Sequence, residues 1–368
     1  MMKKEAVRMK QAQFAIIGGA GFRAQAFLRI ARALPGHFRV TGLVVRQAEK
    51  GQAMEEEWGI PSYRTVEELL AQGRPDFIVV SAGKGAASEI LPDLAERGIP
   101  VLLETPPASD LAGLHQVHEQ LIVPGARVQV AEQYHLSPLH AARLAVIGQG
   151  RLGRVTEATV SISQFYHAIS LMRKYLGIGY EDADITGMRF LSPQIAGPGR
   201  AGVPQEEKLV QQPRDLMWFH FGDRLGIYDF TKDQHRSWIR SNHVSVRGER
   251  GEITDRRLNL LIDYQTPLPL ELKRVNRGEE ESVEGYFLEG ILAGDSYAYR
   301  NPYTPARLLD DELAIAACLT RMAEYAAGGE SFYSLAEACQ DTYLGFVAEE
   351  AIRTGTTQRT KRQPWAER

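Results

Sequence analysis

The run Gly18-Gly19-Ala20-Gly21-Phe22-Arg23-Ala24 follows the apolar stretch Phe14-Ala15-Ile16-Ile17, and from Gly19 to Ala24 it reads G-x-G-x-x-A. That spacing suits a strand–turn–helix that cradles a pyrophosphate. Gly19 is expected to make the tight turn, Gly21 to let the backbone approach the anion, and Ala24 to seat the helix on the sheet. Phe22 and Arg23 would flank the anion at the helix N-terminus. Roughly twenty residues further on, a ribose-binding acid is expected, but the next strand ends Val44-Val45-Arg46-Gln47. Arg46 suits a 2′-phosphate and can stack on adenine, which favours NADP over NAD.

Proton chemistry needs a different residue. An unperturbed imidazole titrates near ~6.5, so His167 can take or give a proton near neutral pH. Lys174, seven residues later, falls on the same helix face, where a solvated lysine is expected. Lys84 sits in a glycine-rich turn after the fourth strand, where it could reach a pyrophosphate or carboxylate or, slightly favoured, stand as a solvated loop lysine. His135 follows the carboxyl end of the sixth strand, the edge where open α/β sheets bind ligands. It is a candidate for pocket contact. His115 and His118 are spaced for a metal but lack a third ligand nearby, so a solvated helix face and no metal are expected.

These residues must be positioned by an alternation of strands and helices. Strand-like pieces fall at 14–18, 38–45, 76–82, 101–104 and 127–133. Helical patterns fall at 22–34, 48–58, 66–72, 86–97 and 111–121, with Ser109 or Asp110 as the last N-cap. This predicts a doubly wound parallel sheet covered on both faces. A helix then starts near Ser137-Pro138, and the texture changes to alternating strands at 155–165, 225–230, 238–247 and 258–264. Helices return at 310–327 and 334–353. The expected division is a dinucleotide-binding domain over 1–134 and an α+β domain over 135–368 with a large, mostly antiparallel sheet. The Gly- and Pro-rich segment 177–214 reads as a mobile loop over the site or, slightly favoured, a surface excursion, and the polar tail from Thr354 as frayed.

With 368 residues, 44% hydrophobic and 24% charged, the chain can bury a sizeable core. Its net charge of −3 has Lys and Arg scattered, so neither nucleic acid nor an anionic membrane is an expected partner. No apolar run approaches the ~20 residues of a membrane span. The start Met1-Met2-Lys3-Lys4-Glu5 has no apolar stretch after it, and Cys318 and Cys339 read as buried, reduced thiols. A cytoplasmic location is expected.

Several stretches, in order and over nearly the whole chain, resemble the Gfo/Idh/MocA family of NAD(P)-dependent oxidoreductases. Residues 15–27 resemble its opening turn and helix. Tyr63-Arg64-Thr65-Val66-Glu67-Glu68-Leu69-Leu70 is similar to its Y-x-x-x-E-E-L-L segment. The run from Gly98 to Pro106 is similar to G-K-x-V-x-x-E-K-P, and Ala131-Glu132-Gln133-Tyr134-His135 to the strand end that begins the substrate side. The run from His167 to Gly177 resembles H-x-x-D-x-x-R-x-x-x-G, and 244–253 a late G-x-x-G hairpin.

The resemblance implies a Rossmann domain, an open-faced sheet used for dimers or tetramers, and hydride transfer on a sugar, polyol or sugar derivative. Glu104 and Thr105 would lie near the nicotinamide ribose, Ser81 beside the cofactor, and Gln133, His135 and Ser163 around a carbohydrate-like substrate. His167 and Thr105 take the catalytic positions. Three departures accompany it: Thr105 replaces the lysine of E-K-P, Ser163 replaces the aspartate of Asp-x-x-x-His, and 82–87 lacks the family's Thr, Pro and His. A neutral Thr orients a hydroxyl but does not carry a proton near pH 7. A redox-neutral, nucleotide-assisted glycoside cleavage and a non-catalytic dinucleotide sensor therefore stand as alternatives to the dehydrogenase reading.

Overall fold

Short strands that are apolar throughout, such as Phe-Ile-Val-Val at 77–80, satisfy themselves only between two helical layers, and the first third of the chain supplies both. The structure, a computed structural model, describes residues 11–199, 202–278 and 285–367, without the side chains of Phe22 and of 84–87. The first sheet and its helices run β1 (Ala12–Ile17), α1 (Phe22–Ala33), β2 (Phe38–Val44), α2 (Ala48–Trp58), β3 (Ser62–Tyr63), α3 (Val66–Ala71), β4 (Phe77–Val80), α4 (Lys84–Glu96), β5 (Val101–Leu103), α5 (Leu111–Val117) and β6 (Val128–Val130). All neighbours are parallel, in the order β3-β2-β1-β4-β5-β6. The order reverses beside β1, which opens a crevice at the carboxyl ends of β1 and β4. Asp110 caps α5 by accepting from the Gly113 amide at 2.8 Å. The helix expected to reach 121 loosens over His118–Ile122, where the Val123 amide reaches back five residues to the His118 carbonyl.

The chain continues through α6 (Pro138–Gly148), β7 (Val155–Ser161), α7 (Phe165–Leu176), β8 (Asp184–Ile195), β9 (Leu209–Phe221), β10 (Arg224–Thr231), β11 (His243–Gly248), β12 (Gly251–Thr254), β13 (Arg257–Leu261), β14 (Pro267–Arg277), β15 (Phe287–Ala293), β16 (Ser296–Arg300), α8 (Asp310–Ala326), α9 (Leu335–Thr354) and β17 (Gln358–Arg359). Among the described residues these strands form one eleven-stranded sheet, in the order β16-β15-β14-β13-β12-β11-β7-β10-β9-β8-β17. Only β7 and β10 run parallel; the other pairs are antiparallel.

Two expectations fail here. Much of 177–214 is the long hairpin β8–β9, not an irregular excursion. Pro193 is tolerated because β17 pairs only with Asp184 and Ile185, leaving the proline on an open strand edge. The tail after Thr354 is not frayed either. β17 joins the sheet, and Trp365 is 1% exposed with its indole N–H donating to Gln340 Oε1 at 3.0 Å. One large aromatic buried beside Tyr343 outweighs the polar composition around it.

The C-terminal helices return to the first sheet. Gln129 of β6 accepts at Oε1 from the Phe332 and Tyr333 amides, both at 2.9 Å. Tyr333, Leu335, Ala338 and Cys339 pack in one apolar cluster with Val130 and Val101. α8 meanwhile lies against α1 and the β4–β5 face, which carries Asp310 and Asp311 to the carboxyl edge of the parallel sheet.

Candidate active site

Two hollows lie along that edge. The first, about 520 Å³, is bordered by the glycine turn, the end of β2 and the loop after β4. Its turn is made by Gly18 instead of Gly19: Gly18 has φ +85°, and a Cβ there would lie 2.6 Å from the Ser81 carbonyl oxygen. Gly19 lies against Leu43, which a Cβ would meet at 3.2 Å. Gly21 serves the hollow itself, since a Cβ on it would meet no protein atom closer than 3.4 Å. It is also the N-cap of α1 and supplies no side-chain bond, so the first-turn amides stay available to an anion. Ala24 is fully buried against the sheet.

Ser81 lines this hollow, as does Arg46, whose exposed side chain makes no ion pair among the described residues. Arg64, which sequence reasoning passed over, donates to the Val45 and Gln47 carbonyls at 2.6 and 3.1 Å and so pins the turn that presents Arg46. Lys84 and Phe22 were also expected here, but their side chains lie outside the described residues.

The second hollow, about 640 Å³, contains the titratable groups. Its centre is His167 in the first turn of α7, whose Nδ1 lies 2.6 Å from Glu132 Oε2. Glu132 follows β6 and is fully buried. Burial works against its charge, yet the His167 imidazole and the Tyr134 amide, donating to Oε1 at 3.1 Å, hold it below the usual carboxylate range. Burial likewise disfavours the His167 cation, and the adjacent Glu132 outweighs that and raises it above the ordinary histidine range. A carboxylate at Nδ1 fixes the proton there and leaves the Nε2 lone pair as the ring's free acceptor. The Tyr134 ring lies over the imidazole at 4.7 Å.

Ser163, at the position where the resemblance expects an aspartate, donates to the Tyr134 hydroxyl at 2.9 Å. The carboxylate absent from position 163 thus reaches the histidine from Glu132, a different segment. Thr105 and Glu104 line the same hollow. Arg23 turns its guanidinium here and away from the glycine turn, with Nε 3.0 Å from Glu104 Oε1 and Nη1 3.9 Å from Asp311. Gln133 donates to Asp311 at 3.3 Å, while its Oε1 is buried without a partner among the described residues. His135 does not join them. It packs against Tyr333 at 5.4 Å behind the wall, and burial together with Lys174 pushes it down to about 4. Lys174, expected in solvent, is partly buried and pairs with Glu337 at 2.6 Å.

Sequence reasoning missed Glu132, Tyr134, His140, His235, Arg236, Asp310 and Asp311, all on the wall of this hollow except Glu132, which lies behind it. An acid at the carboxyl end of a strand was a usable signal for Glu132. The others come from segments whose approach no local pattern encodes. Among the described residues, no group of three His, Cys, Asp or Glu side chains is arranged to hold a metal ion. Both cysteines are buried and free.

Residues 12–132 match the family model for the GFO_IDH_MocA oxidoreductase family, NAD-binding Rossmann fold. No curated protein matches the chain. Three solved structures illustrate the fold it shares. An oxidoreductase from Agrobacterium radiobacter, in complex with NAD+, L-tartaric acid and magnesium, aligns with TM-score 0.65 at 16% identity over 94% of this chain and 98% of its own. A myo-inositol dehydrogenase from Corynebacterium glutamicum aligns with TM-score 0.65 at 15% identity, over 96% and 100%. The WlbA dehydrogenase from Bordetella pertussis, in complex with NADH and UDP-GlcNAcA, aligns with TM-score 0.60 at 15% identity, over 96% and 100%.

Proposed function

Residues 12–132 match the NAD-binding domain of the Gfo/Idh/MocA oxidoreductase family, and from that premise we propose that the chain is a member of it, an NAD(P)-dependent oxidoreductase acting on a sugar, polyol or sugar derivative. The observation that carries this reading is the Glu132–His167 pair opening on a polar cavity.

The first hollow fits a dinucleotide. Its glycines leave room where a Cβ would intrude, and the N-terminus of α1 offers unbonded amides to a pyrophosphate. Gly18, Gly21 and Ser81 would hold the phosphate side. Arg46, with Lys50 lining the same hollow, would meet a 2′-phosphate and favour NADP. A bound nicotinamide supplies the acceptor or donor of hydride. The protein's own groups do the rest. His167 Nε2 takes the proton of a substrate hydroxyl, and Glu132 stabilises the resulting imidazolium and keeps the ring in register. Gln133 Oε1 accepts from a neighbouring hydroxyl, which gives a partner to an otherwise orphaned buried oxygen. The Thr105 hydroxyl orients the substrate, and the Arg23–Glu104 pair contributes fixed charge where the family has its lysine.

The test is a panel of sugars and polyols followed by nicotinamide absorbance, with His167→Ala beside the wild-type protein. Turnover lost in the variant is expected; full activity removes His167 from the mechanism. NADP or NAD is expected to raise the melting temperature, and no shift with either overturns the reading. We also infer a homodimer or homotetramer through the open face of the large sheet, where Met188 and Phe190 are 47% and 53% exposed. Light scattering decides that point.

A further inference from the structure

A third hollow, about 760 Å³, adjoins the catalytic one and shares Tyr134, Ser137, His140, His235 and Asp310 with it. It runs across β11–β13, in the middle of the large sheet. His140, in the first turn of α6, therefore stands at the junction of the two.

Its ring is held from behind. Arg143, 3% exposed, anchors α6 by donating from Nε and Nη2 to the Asp255 carbonyl at 2.9 and 2.7 Å. The remaining arm, Nη1, lies 3.0 Å from His140 Nδ1, and the Tyr175 hydroxyl lies 2.7 Å from the same nitrogen. A guanidinium only donates. A proton on Nδ1 would therefore face a second N–H at hydrogen-bond distance, whereas a bare Nδ1 accepts from Arg143 and Tyr175. The proton belongs on Nε2, which makes no bond among the described residues. A second proton, and with it a positive charge on the ring, is opposed by burial first and then by Arg143 beside it, which keep His140 well below the ordinary histidine range.

We propose that His140, fixed by Arg143 and Tyr175 as the Nε2–H tautomer, is a specificity-determining hydrogen-bond donor to an oxygen of the substrate where it passes from the catalytic hollow into the adjoining one. His167 and His140 then have opposite characters. His167 presents a lone pair to the reacting hydroxyl, and His140 presents an N–H to an oxygen that only accepts, such as a carbonyl, carboxylate or ring ether. The joined hollows give room for a substrate that extends past the reacting ring. This rests on the second hollow being the substrate site of the proposed oxidoreductase.

The tautomer is read directly by long-range ¹⁵N–¹H correlation spectra of the full-length protein labelled at histidine, with His140→Gln assigning the signal. The proton is expected on Nε2 for His140 at neutral pH and, above the raised titration range of His167, on Nδ1 for that ring. A His140 proton on Nδ1, or a doubly protonated ring, overturns the proposal whether or not any substrate is turned over. Kinetics on the best substrate of the sugar and polyol panel give the second arm. His140→Phe is expected to raise KM about tenfold with kcat within about twofold. His140→Gln, whose amide nitrogen reaches the same place, should recover most of the loss. Unchanged KM in His140→Phe, or a loss that His140→Gln does not recover, overturns the donor role. Failure of either nicotinamide nucleotide to bind would instead sink the proposed function and leave the tautomer measurement standing.

Discussion

The two hollows along the parallel sheet are built in opposite ways. The first is made mainly of backbone: a turn at Gly18, an uncapped helix start at Gly21 and the loop after β4. The second is made of side chains drawn from positions as distant as Arg23, Gln133, His167, His235 and Asp311. A backbone cradle tolerates changes in almost every side chain and fails when a Cβ is added. A side-chain cavity tolerates backbone-neutral changes and fails when one donor or acceptor is lost.

That contrast can be broken most forcefully at the Glu132–His167 pair. His167→Ala is expected to lower kcat by about 10²–10⁴ while leaving the nucleotide-induced rise in melting temperature intact. Loss of both in one variant would erase the separation between the hollows. Glu132→Gln should cost about a hundredfold, because the ring loses the group that stabilises its cation. The sign of the pH effect follows from the raised His167 and lowered Glu132 values. His167 works as a base only when neutral, so the acid limb of kcat/KM for alcohol oxidation should lie above the ordinary value of about 6.5. In Glu132→Gln that limb should move down, and a pH–rate profile checks it.

The cradle is broken in the opposite sense. Gly18→Ala combines a positive φ with a Cβ 2.6 Å from the Ser81 carbonyl. It is expected to cost ~1–3 kcal/mol of stability and to abolish the nucleotide-dependent shift, both read by thermal unfolding. Arg46→Ala sharpens the picture within the first hollow. Loss of a charge-assisted contact should weaken NADP about tenfold with NAD nearly unchanged, measured as paired dissociation constants; equal losses would remove the 2′-phosphate role. The smallest effect is expected for Ser163→Ala, within about 1 kcal/mol in kcat/KM, because Ser163 bonds Tyr134 and leaves the Glu132–His167 contact untouched. A large loss there would mean that Tyr134 needs its serine partner to hold the histidine.

Much of the first sheet was legible because its signals are local. Apolar strands, intervening helices and an Asp cap are all written within a few residues of where they act. The antiparallel sheet was legible only in part. β8, β9, β14, β15 and β16 escaped because their faces are partly exposed and their pairing is set by neighbours far along the chain. Among site residues, Gly21 and His167 stand where the motif placed them. Gly18 took the turn that spacing gave to Gly19, since only the structure reveals how near Ser81 comes.

The sequence by itself determined the strand–turn–helix, the parallel sheet and a histidine suited to carry protons, because these depend on periodicity and on the intrinsic chemistry of single residues. Only the tertiary structure decided the histidine's partner. Ser163 in place of an aspartate reads as a missing carboxylate, but Glu132, thirty-five residues from His167 in the chain, lies 2.6 Å from its ring. Which acid approaches an imidazole is fixed by how β6 and α7 pack, and that is a property of the fold as a whole.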